Sequence, residues 1–199
     1  MTTQDTDRLM NDCRLRLPAA TDGVIKHELF QVMDEFLKGS HVWQEDISIT
    51  TTATGKTYEI EPEDNQAIIY TLMLVLNGTT QISASLADPT LLVLENEPGV
   101  VATYVATVAL SVVDPVDSNS FPYVPDWVWQ MYRGEIMNGV LARMMSQPAK
   151  PYSNTTLAAY HASKFRTGIS FAKRKAWSKN LFAGQRWKFP QGFARGYNH

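Results

Sequence analysis

The hydrophobic period of the chain changes twice, and this change restricts the possible folds more than any other feature. Apolar residues recur at helical spacing over residues 22–38, alternate with polar residues in short runs between 47 and 112, and return to helical spacing after 125. Five or six short strands in the middle segment are typical of an antiparallel β-module. The sequence therefore predicts an α+β fold in which an inserted antiparallel β-module interrupts an antiparallel helical bundle.

Three helices are predicted, over residues 22–38, 125–146 and 154–178. Thr21 or Asp22 can cap the first helix, and Gly39 stands where a helix C-terminus favours a residue with positive φ. Residues 5–16 fit either a polar helix or a loop that ends at Pro18. The predicted bundle is therefore a three-helix bundle.

Within the β-module, Asn77-Gly78 follows a nearly continuous apolar run and predicts a two-residue hairpin turn. The proline-rich segment from 114 to 125 separates the module from the second helix. We expect three parts: a helical bundle domain formed by residues 1–42 and 114–180, the inserted β-module at 43–113, and an extended C-terminal tail at 181–199.

Composition places the chain in the ordinary globular class. Among 199 residues, 44% are hydrophobic and 19% are charged, and no apolar run is long enough to span a membrane. Residues 1–5 lack the basic and apolar regions of a secretory signal. The single cysteine, Cys13, excludes an intramolecular disulfide and any metal site built from several cysteines. We therefore expect a reduced protein made in the cytoplasm.

Charge is divided sharply along the sequence. Residues 1–135 contain 20 acidic and 7 basic side chains, whereas residues 136–199 contain 11 basic side chains and no acidic one. Such asymmetry is typical of a segment that interacts with nucleic acid, a membrane surface or an acidic protein. A solvated charged face is the simpler alternative.

Residues 181–199 follow neither the helical nor the alternating period, yet they are rich in aromatic side chains. A short segment of this kind cannot bury so many rings by itself, so we expect it to become ordered against a partner. Because the aromatic residues outnumber the three basic ones, apolar pockets of a protein suit the segment better than phosphates do. Stacking of bases on Trp177, Trp187 and Phe189 beside the basic run at 173–175 remains the nucleic-acid alternative.

No signature of catalysis is visible. The sequence has no nucleophile elbow, phosphate-binding loop or dinucleotide glycine fingerprint. The histidines lie in four different predicted elements and lack metal-ligand spacing. Cys13 beside Arg14 could be activated, although a small buried thiol is the simpler interpretation. We therefore expect no enzymatic activity, cofactor or metal ion.

A cluster of carboxylates and a group of tryptophans each allow both a functional and a purely structural interpretation. Carboxylates cluster around Pro62 and Asn96, where they could bind a cation, line a channel that passes DNA, or simply be solvated: Glu59, Glu61, Glu63, Asp64, Glu95 and Glu97. Tryptophans near the ends of the β-module could bind a glycan or pack the hinge between module and bundle: Trp43, Trp127 and Trp129.

The second and third predicted helices carry a resemblance. The stretch GVLARMMSQPAKPYSN at 139–154, followed by Ala158, Tyr160 and Phe165, resembles the helix–loop–helix of bacteriophage head-to-tail adaptors. These are the connector or tail tubular A-type proteins of short-tailed phages. The segment from Leu15 through Trp43 is similar to their first helix and its entry into the β-module.

The resemblance implies a structural protein of the virion neck, made in the host bacterial cytoplasm. Members of the family form a homo-oligomeric ring, typically of twelve copies, between the portal protein and the tail tube or nozzle protein. DNA passes through the ring without specific binding. The alternative function is a nucleic-acid-binding protein that uses the basic C-terminal third.

In this family a C-terminal extension docks on the portal, and residues 181–199 correspond to it. We expect five aromatic residues to anchor the portal contact: Phe182, Trp187, Phe189, Phe193 and Tyr197. Three basic residues are expected to meet carboxylates of the portal: Arg186, Lys188 and Arg195.

Overall fold

The computed structural model describes residues 3–63, 67–113 and 123–181. The helices in this part of the chain are α1 (Thr3–Arg16), α2 (Asp22–Ser40), α3 (Asp126–Ser146) and α4 (Thr155–Leu181). The strands are β1 (Gln44–Thr50), β2 (Thr57–Glu59), β3 (Ala67–Asn77), β4 (Thr80–Gln81), β5 (Ala84–Asp88), β6 (Leu91–Leu94) and β7 (Thr103–Val112).

The prediction of a three-helix bundle is wrong, because the described residues form four helices and two antiparallel sheets. The additional helix is α1, which the sequence left between a polar helix and a loop. Its apolar residues Leu9, Met10 and Cys13 are buried, and Leu17 continues the same face. Two ion pairs hold α1 in place, from Asp12 to α3 and from Arg14 to α2, and their partners are Arg133 and Asp22.

The β-module consists of two sheets rather than one. The large sheet has the strand order β1-β7-β3-β4, and the small sheet has the order β2-β6-β5. Within the large sheet, β7 is hydrogen-bonded on both sides, with Ile49 opposite Tyr104 and Ala67 opposite Val112. Since β7 also packs against α2, its C-terminal half is buried on both faces. The large sheet thus joins the β-module to the helices.

Helix α2 lies at the centre of the molecule and packs against α1, α3, α4 and β7. Its side chain Phe36 is fully buried, with ring centroids 5.2 Å from Tyr132 and 6.3 Å from Phe165. A polar contact reinforces this packing, since the buried hydroxyl of Ser111 on β7 donates to Oδ1 of Asp34 at 2.8 Å. One continuous apolar core therefore connects the helices with both sheets.

Glycine placement corrects one prediction and refines another. Gly39 does not end α2 with a positive φ; that role belongs to His41, with φ 54°. Gly39 is instead inside the helix, where an added Cβ would lie 2.9 Å from Cγ2 of Ile169, so it permits close packing with α4. A two-residue hairpin is present, but one position later than predicted: Asn77 is the last residue of β3 and lies opposite Thr80, so the connecting residues are Gly78 and Thr79. Among the two connecting residues only Gly78 has positive φ, at 60°.

Helix α3 is bent at Tyr132, whose backbone has φ −123° and ψ 15°. The bend lies two residues before Gly134, within a stretch that the sequence predicts to be a continuous helix over 125–146. C-terminal to the bend, Gly139 is buried where α3 crosses α2 and α4. A Cβ at this position would lie 2.5 Å from Cγ1 of Val32 and 2.9 Å from the ring of Phe165. The glycine therefore sets how closely the three helices approach.

Candidate interaction surface

The predicted portal-binding residues all lie outside the described residues. They are Phe182, Arg186, Trp187, Lys188, Phe189, Phe193, Arg195 and Tyr197. Helix α4 ends at Leu181, directly before the first of them. The division of the chain at 42/43 and 113/114 stays a prediction, as does the separate C-terminal extension.

Helix α4 exposes large aromatic side chains along one face. Tyr160 and Phe171 are each 55% exposed and are separated by about three helical turns, so they lie on the same side. Lys164 lies between them, with its Nζ 5.6 Å from the centroid of the Tyr160 ring. Thr167 and Arg174 continue this exposed row. We call these five residues the α4 outer face.

The charge of α4 has a single sign. Residues 155–181 contain no acidic side chain, whereas basic residues occur along the whole helix: Lys164, Arg166, Lys173, Arg174, Lys175 and Lys179. The opposite face of the helix is apolar and buried through Ala158, Phe165 and Ala172. The exposed side of α4 thus combines aromatic area with positive charge.

The β-module has the opposite charge. Asp46 is exposed on β1 of the large sheet, and the other exposed carboxylates lie at the ends of the small-sheet strands and in the adjoining loops: Glu59, Glu61, Glu63, Asp88, Glu95 and Glu97. Asp64, which the sequence groups with them, lies outside the described residues. Between 67 and 113 the sequence contains no basic residue at all. The structure therefore separates an acidic module from a basic helix.

One acidic segment of the module also exposes apolar side chains. The β6–β7 loop, residues 95–101, contains exposed Glu95 and Glu97 and ends with Val100 and Val101, which are 60% and 71% exposed. Isolated exposed apolar residues are common, but two adjacent valines beside two carboxylates make a small amphipathic patch. Sequence reasoning missed this patch, although the pair Val-Val after Pro-Gly was a visible signal.

Two hollows lie beside α4. A groove of about 400 Å³ runs between α3 and α4 and is lined mainly by small residues, including Gly139, Ala142 and Ala162. A second, more polar hollow of about 650 Å³ lies between the large sheet and the C-terminal part of α4, with Asp46, Trp127 and Lys175 in its lining. In the groove between α3 and α4, no side-chain nucleophile of the described residues is hydrogen-bonded to a base. In the second hollow, the hydroxyl of Thr107 donates to Oδ1 of Asp46 at 2.6 Å, a bond between the paired strands β7 and β1.

The candidate nucleophile Cys13 is fully buried. Burial, followed by the neighbouring charge of Asp12, raises the pKa of its thiol to about 11. The nearby arginines Arg16 and Arg133 act in the opposite direction but do not compensate for desolvation. Cys13 is therefore a protonated core thiol at neutral pH, as the simpler interpretation predicted.

The described histidines remain separate from one another. The Nδ1 atom of His161 lies 2.7 Å from Oδ1 of Asn138, which links α4 to α3. Burial, and to a lesser degree Arg16, lowers the pKa of His161. Burial also lowers the pKa of His41, whose ring lies 6.1 Å from that of Tyr70. His41 and His161 are thus neutral at physiological pH, and the contacts described for them are packing and hydrogen-bond contacts within the fold.

Neither a metal site nor a membrane-spanning helix is present in the described part of the chain. Within residues 3–63, 67–113 and 123–181, no three or more His, Cys, Asp or Glu side chains are grouped so that they could hold a metal ion. In these same ranges, no helix has the length and apolar character needed to cross a membrane.

The tryptophans at the ends of the β-module do not form one surface. Trp43 and Trp129 are buried, and Trp43 has its ring 6.3 Å from that of Tyr123. Only Trp127 is substantially exposed, at 38%. Two of the three therefore pack within the core, as expected for residues at the hinge.

Comparison with known proteins adds no assignment. No protein-family model matches the sequence, and a search of curated proteins finds no match.

Proposed function

We propose that the chain is a structural head-to-tail adaptor of a tailed-phage virion, which forms a ring between the portal and the tail and continues the DNA channel. The proposal starts from the resemblance of residues 139–165 to that family. The single observation that supports it most is the position of α4. This helix is packed against α2 and α3 and leads directly into the aromatic, basic segment that begins after Leu181.

A rigid helix is a suitable support for a docking segment. A segment joined to a packed helix starts from a fixed point, so less conformational freedom of the chain is lost when it binds, and affinity rises accordingly. Aromatic and arginine side chains are also the residue types that contribute most at protein interfaces. The segment 182–199 contains both types.

The charge distribution suits a channel as well. Carboxylates repel DNA phosphates, so a surface that carries them lets DNA pass without holding it. The exposed glutamates at 59, 61 and 63 belong to the described acidic surface of the module. In the proposed ring this end of the module would face the channel.

Binding to the portal ring of the same phage tests the proposal. We expect native mass spectrometry to show the full-length chain bound to the portal ring with one adaptor per portal subunit. A chain that lacks residues 182–199 keeps α4 intact, and we expect it to fold normally but not to bind. Full portal binding by this truncated chain would refute the assigned role of the segment.

Point variants separate aromatic anchoring from mere length. We expect Trp187→Ser with Phe189→Ser to weaken portal binding by at least tenfold, because anchor residues dominate interface energies. The matched control, Gln185→Ser with Gln191→Ser, changes the same number of positions in the same segment and should bind normally. Equal loss in both variants would contradict aromatic anchoring.

The second candidate function, nucleic-acid binding, is favoured by one observation: α4 carries only positive charge and exposes Trp177. Salt distinguishes the two functions. Affinity for a single-stranded DNA oligonucleotide should fall steeply as salt is raised if lysines and arginines contact phosphates. Portal binding through aromatic anchors should change little over the same range.

A further inference from the structure

We propose that the α4 outer face of one copy of the chain binds the β6–β7 loop of a second copy, so that copies associate head to tail. This inference deepens the proposed function and rests on it, because it names the surfaces through which a ring would close. The surfaces are the α4 outer face, with Tyr160, Lys164 and Phe171, and the loop at residues 95–101.

The β6–β7 loop is held in position before any partner arrives. The amide of Glu95 donates to the carbonyl of Ser83 at 3.0 Å, and the amide of Gly99 donates to the carbonyl of Ala53 at 2.9 Å. Directly after the valines, the carbonyl of Ala102 accepts hydrogen bonds from both the amide and the hydroxyl of Thr51, at 2.8 and 3.0 Å. Because the backbone is fixed at both ends, little conformational entropy is lost when the loop docks.

Gly99 has a specific part in this arrangement. Its φ of 73° lies in the left-handed region, where other residues are strained, and a Cβ at this position would meet no neighbouring atom. The glycine therefore serves the backbone turn and not close packing. The turn directs the chain so that Val100 and Val101 face solvent rather than the core.

The two surfaces are complementary in both charge and polarity. The α4 outer face combines two half-exposed aromatic rings with Lys164 and Arg174, and the loop combines two exposed valines with Glu95 and Glu97. Contact would bury aromatic and aliphatic area together and would pair cations with carboxylates. Complementary potentials of this kind speed encounter and fix the orientation of partners.

The position of the surfaces on the fold determines how copies would associate. Helix α4 packs on α2 and α3, whereas the β6–β7 loop is bonded to segments of the β-module around residues 51–53 and 83. An interface between two different patches is heterologous, and repetition of such a contact forms a ring if the rotation closes. A second copy suits the α4 outer face better than nucleic acid does. The face exposes two aromatic rings beside two basic side chains, and rings of this kind are buried more readily against the valines of a protein loop than against phosphates.

Cross-linking of mixed variants tests the contact directly. Thr167→Cys lies within the α4 outer face and Asn96→Cys lies within the loop, and neither substitution removes an anchor. Cys13 does not interfere, because it is fully buried. We expect a short bismaleimide to link the two variants several-fold more efficiently than it links Thr167→Cys to Leu15→Cys, a control on the highly exposed end of α1.

Two additional changes identify the forces. We expect Phe171→Ser in the Thr167→Cys chain to lower the cross-link yield about tenfold, as for an interface anchor. Met131→Ser, which removes an exposed apolar side chain from α3, should leave the yield unchanged. A yield that is insensitive to Phe171→Ser would overturn the proposal.

Charge reversal provides the most specific result. Lys164→Glu with Arg174→Glu in the Thr167→Cys chain should abolish cross-linking to the unaltered loop. Cross-linking should return when the Asn96→Cys chain carries Glu95→Lys with Glu97→Lys. Absence of this rescue, while the reversed chains remain folded by circular dichroism, would refute pairing between the surfaces.

The outcomes also separate this inference from the proposed function. Normal one-to-one binding to the portal ring with no specific cross-link would refute the inference alone. A specific cross-link without portal binding would refute the proposed function and leave a self-associating chain. Competition by single-stranded DNA, lost in Lys164→Glu with Arg174→Glu, would assign the α4 outer face to nucleic acid and refute the inference.

Discussion

Replacement of Gly139 by alanine should destabilise the protein even though alanine is the better helix former. In a helix interior, alanine stabilises the folded state by about 0.5–1 kcal/mol relative to glycine. Here, however, the new Cβ would lie 2.5 Å from Cγ1 of Val32 and 2.9 Å from the ring of Phe165. Both neighbours are confined, since valine in a helix is restricted at χ1 and Phe165 is buried.

The magnitude follows from the balance of these two effects. Overpacking of a well-packed core costs about 1–3 kcal/mol, which exceeds the gain in helix propensity. We expect a net loss of about 1–2 kcal/mol, which corresponds to a fall in Tm of about 2–8 °C for a chain of this size. Thermal unfolding followed by circular dichroism at 222 nm measures this change.

Gly134 provides the matched control in the same helix. It is exposed, and a Cβ there would meet nothing within 4 Å. Gly134→Ala should therefore raise the free energy of unfolding by about 0.5–1 kcal/mol. If Gly139→Ala were as stabilising as Gly134→Ala, the close approach of α2, α3 and α4 at this point would be refuted.

Three further predictions concern the core and its polar contacts. Ser111→Ala removes the donor to Asp34 Oδ1 and should lower the free energy of unfolding by about 1–3 kcal/mol in chemical denaturation, whereas Ser170→Ala, which loses only an exposed bond within its own helix, should have almost no effect. Cys13 should not react with a thiol reagent in the native protein and should react fully in denaturant, because its thiol is buried and its pKa is raised to about 11; rapid native labelling would contradict its burial. Burial lowers the pKa of His41 below the value of about 6.5 that it has in the unfolded chain. Its contribution to the free energy of unfolding is therefore complete above a pH of about 6.5 and is lost as the pH falls from there through the lowered pKa, because the unfolded chain binds the proton more strongly. The decline in Tm below pH 6.5 should therefore be smaller in His41→Asn, which also tolerates the left-handed backbone, and an identical decline would refute the assignment.

The sequence predicted those elements that have a strong local period. The first, second and third predicted helices correspond to α2, α3 and α4, with bounds that differ by no more than a few residues. A hairpin follows β3 as predicted, although its two connecting residues are Gly78 and Thr79 rather than Asn77 and Gly78; Gly78 provides the positive φ that the turn requires. In each case the information lies within the segment itself.

Features that depend on distant partners were not predictable in the same way. Helix α1 is polar overall, and only its spacing of Leu9 and Cys13 indicated a buried face that α2 and α3 cover. The sequence predicts Gly39 to be at a helix end, since glycine is common there. Its actual role depends on a close contact with Ile169, which lies on a helix far along the chain and is not visible in the local sequence. The division of the strands into two sheets likewise depends on pairings between remote segments.

The aromatic C-terminal segment stays a prediction, because all of its expected anchor residues lie outside the described part of the chain. The α4 outer face and the β6–β7 loop were missed, since exposure of Phe171 or Val101 is decided by tertiary packing and not by residue type.

The central position of β7 in the large sheet also constrains the order of folding during synthesis. The hydroxyl of Thr107 on β7 donates to Asp46 on β1 across 61 positions of sequence, and β3 likewise pairs with β7. During synthesis, β1 and β3 therefore stay unpaired with their common partner until β7 leaves the ribosome. The small sheet can form earlier, because β5 and β6 are neighbours in sequence. Long-range pairing of this kind slows folding and leaves strand edges exposed to aggregation, so the nascent chain should depend most on chaperones while β1 and β3 lack β7.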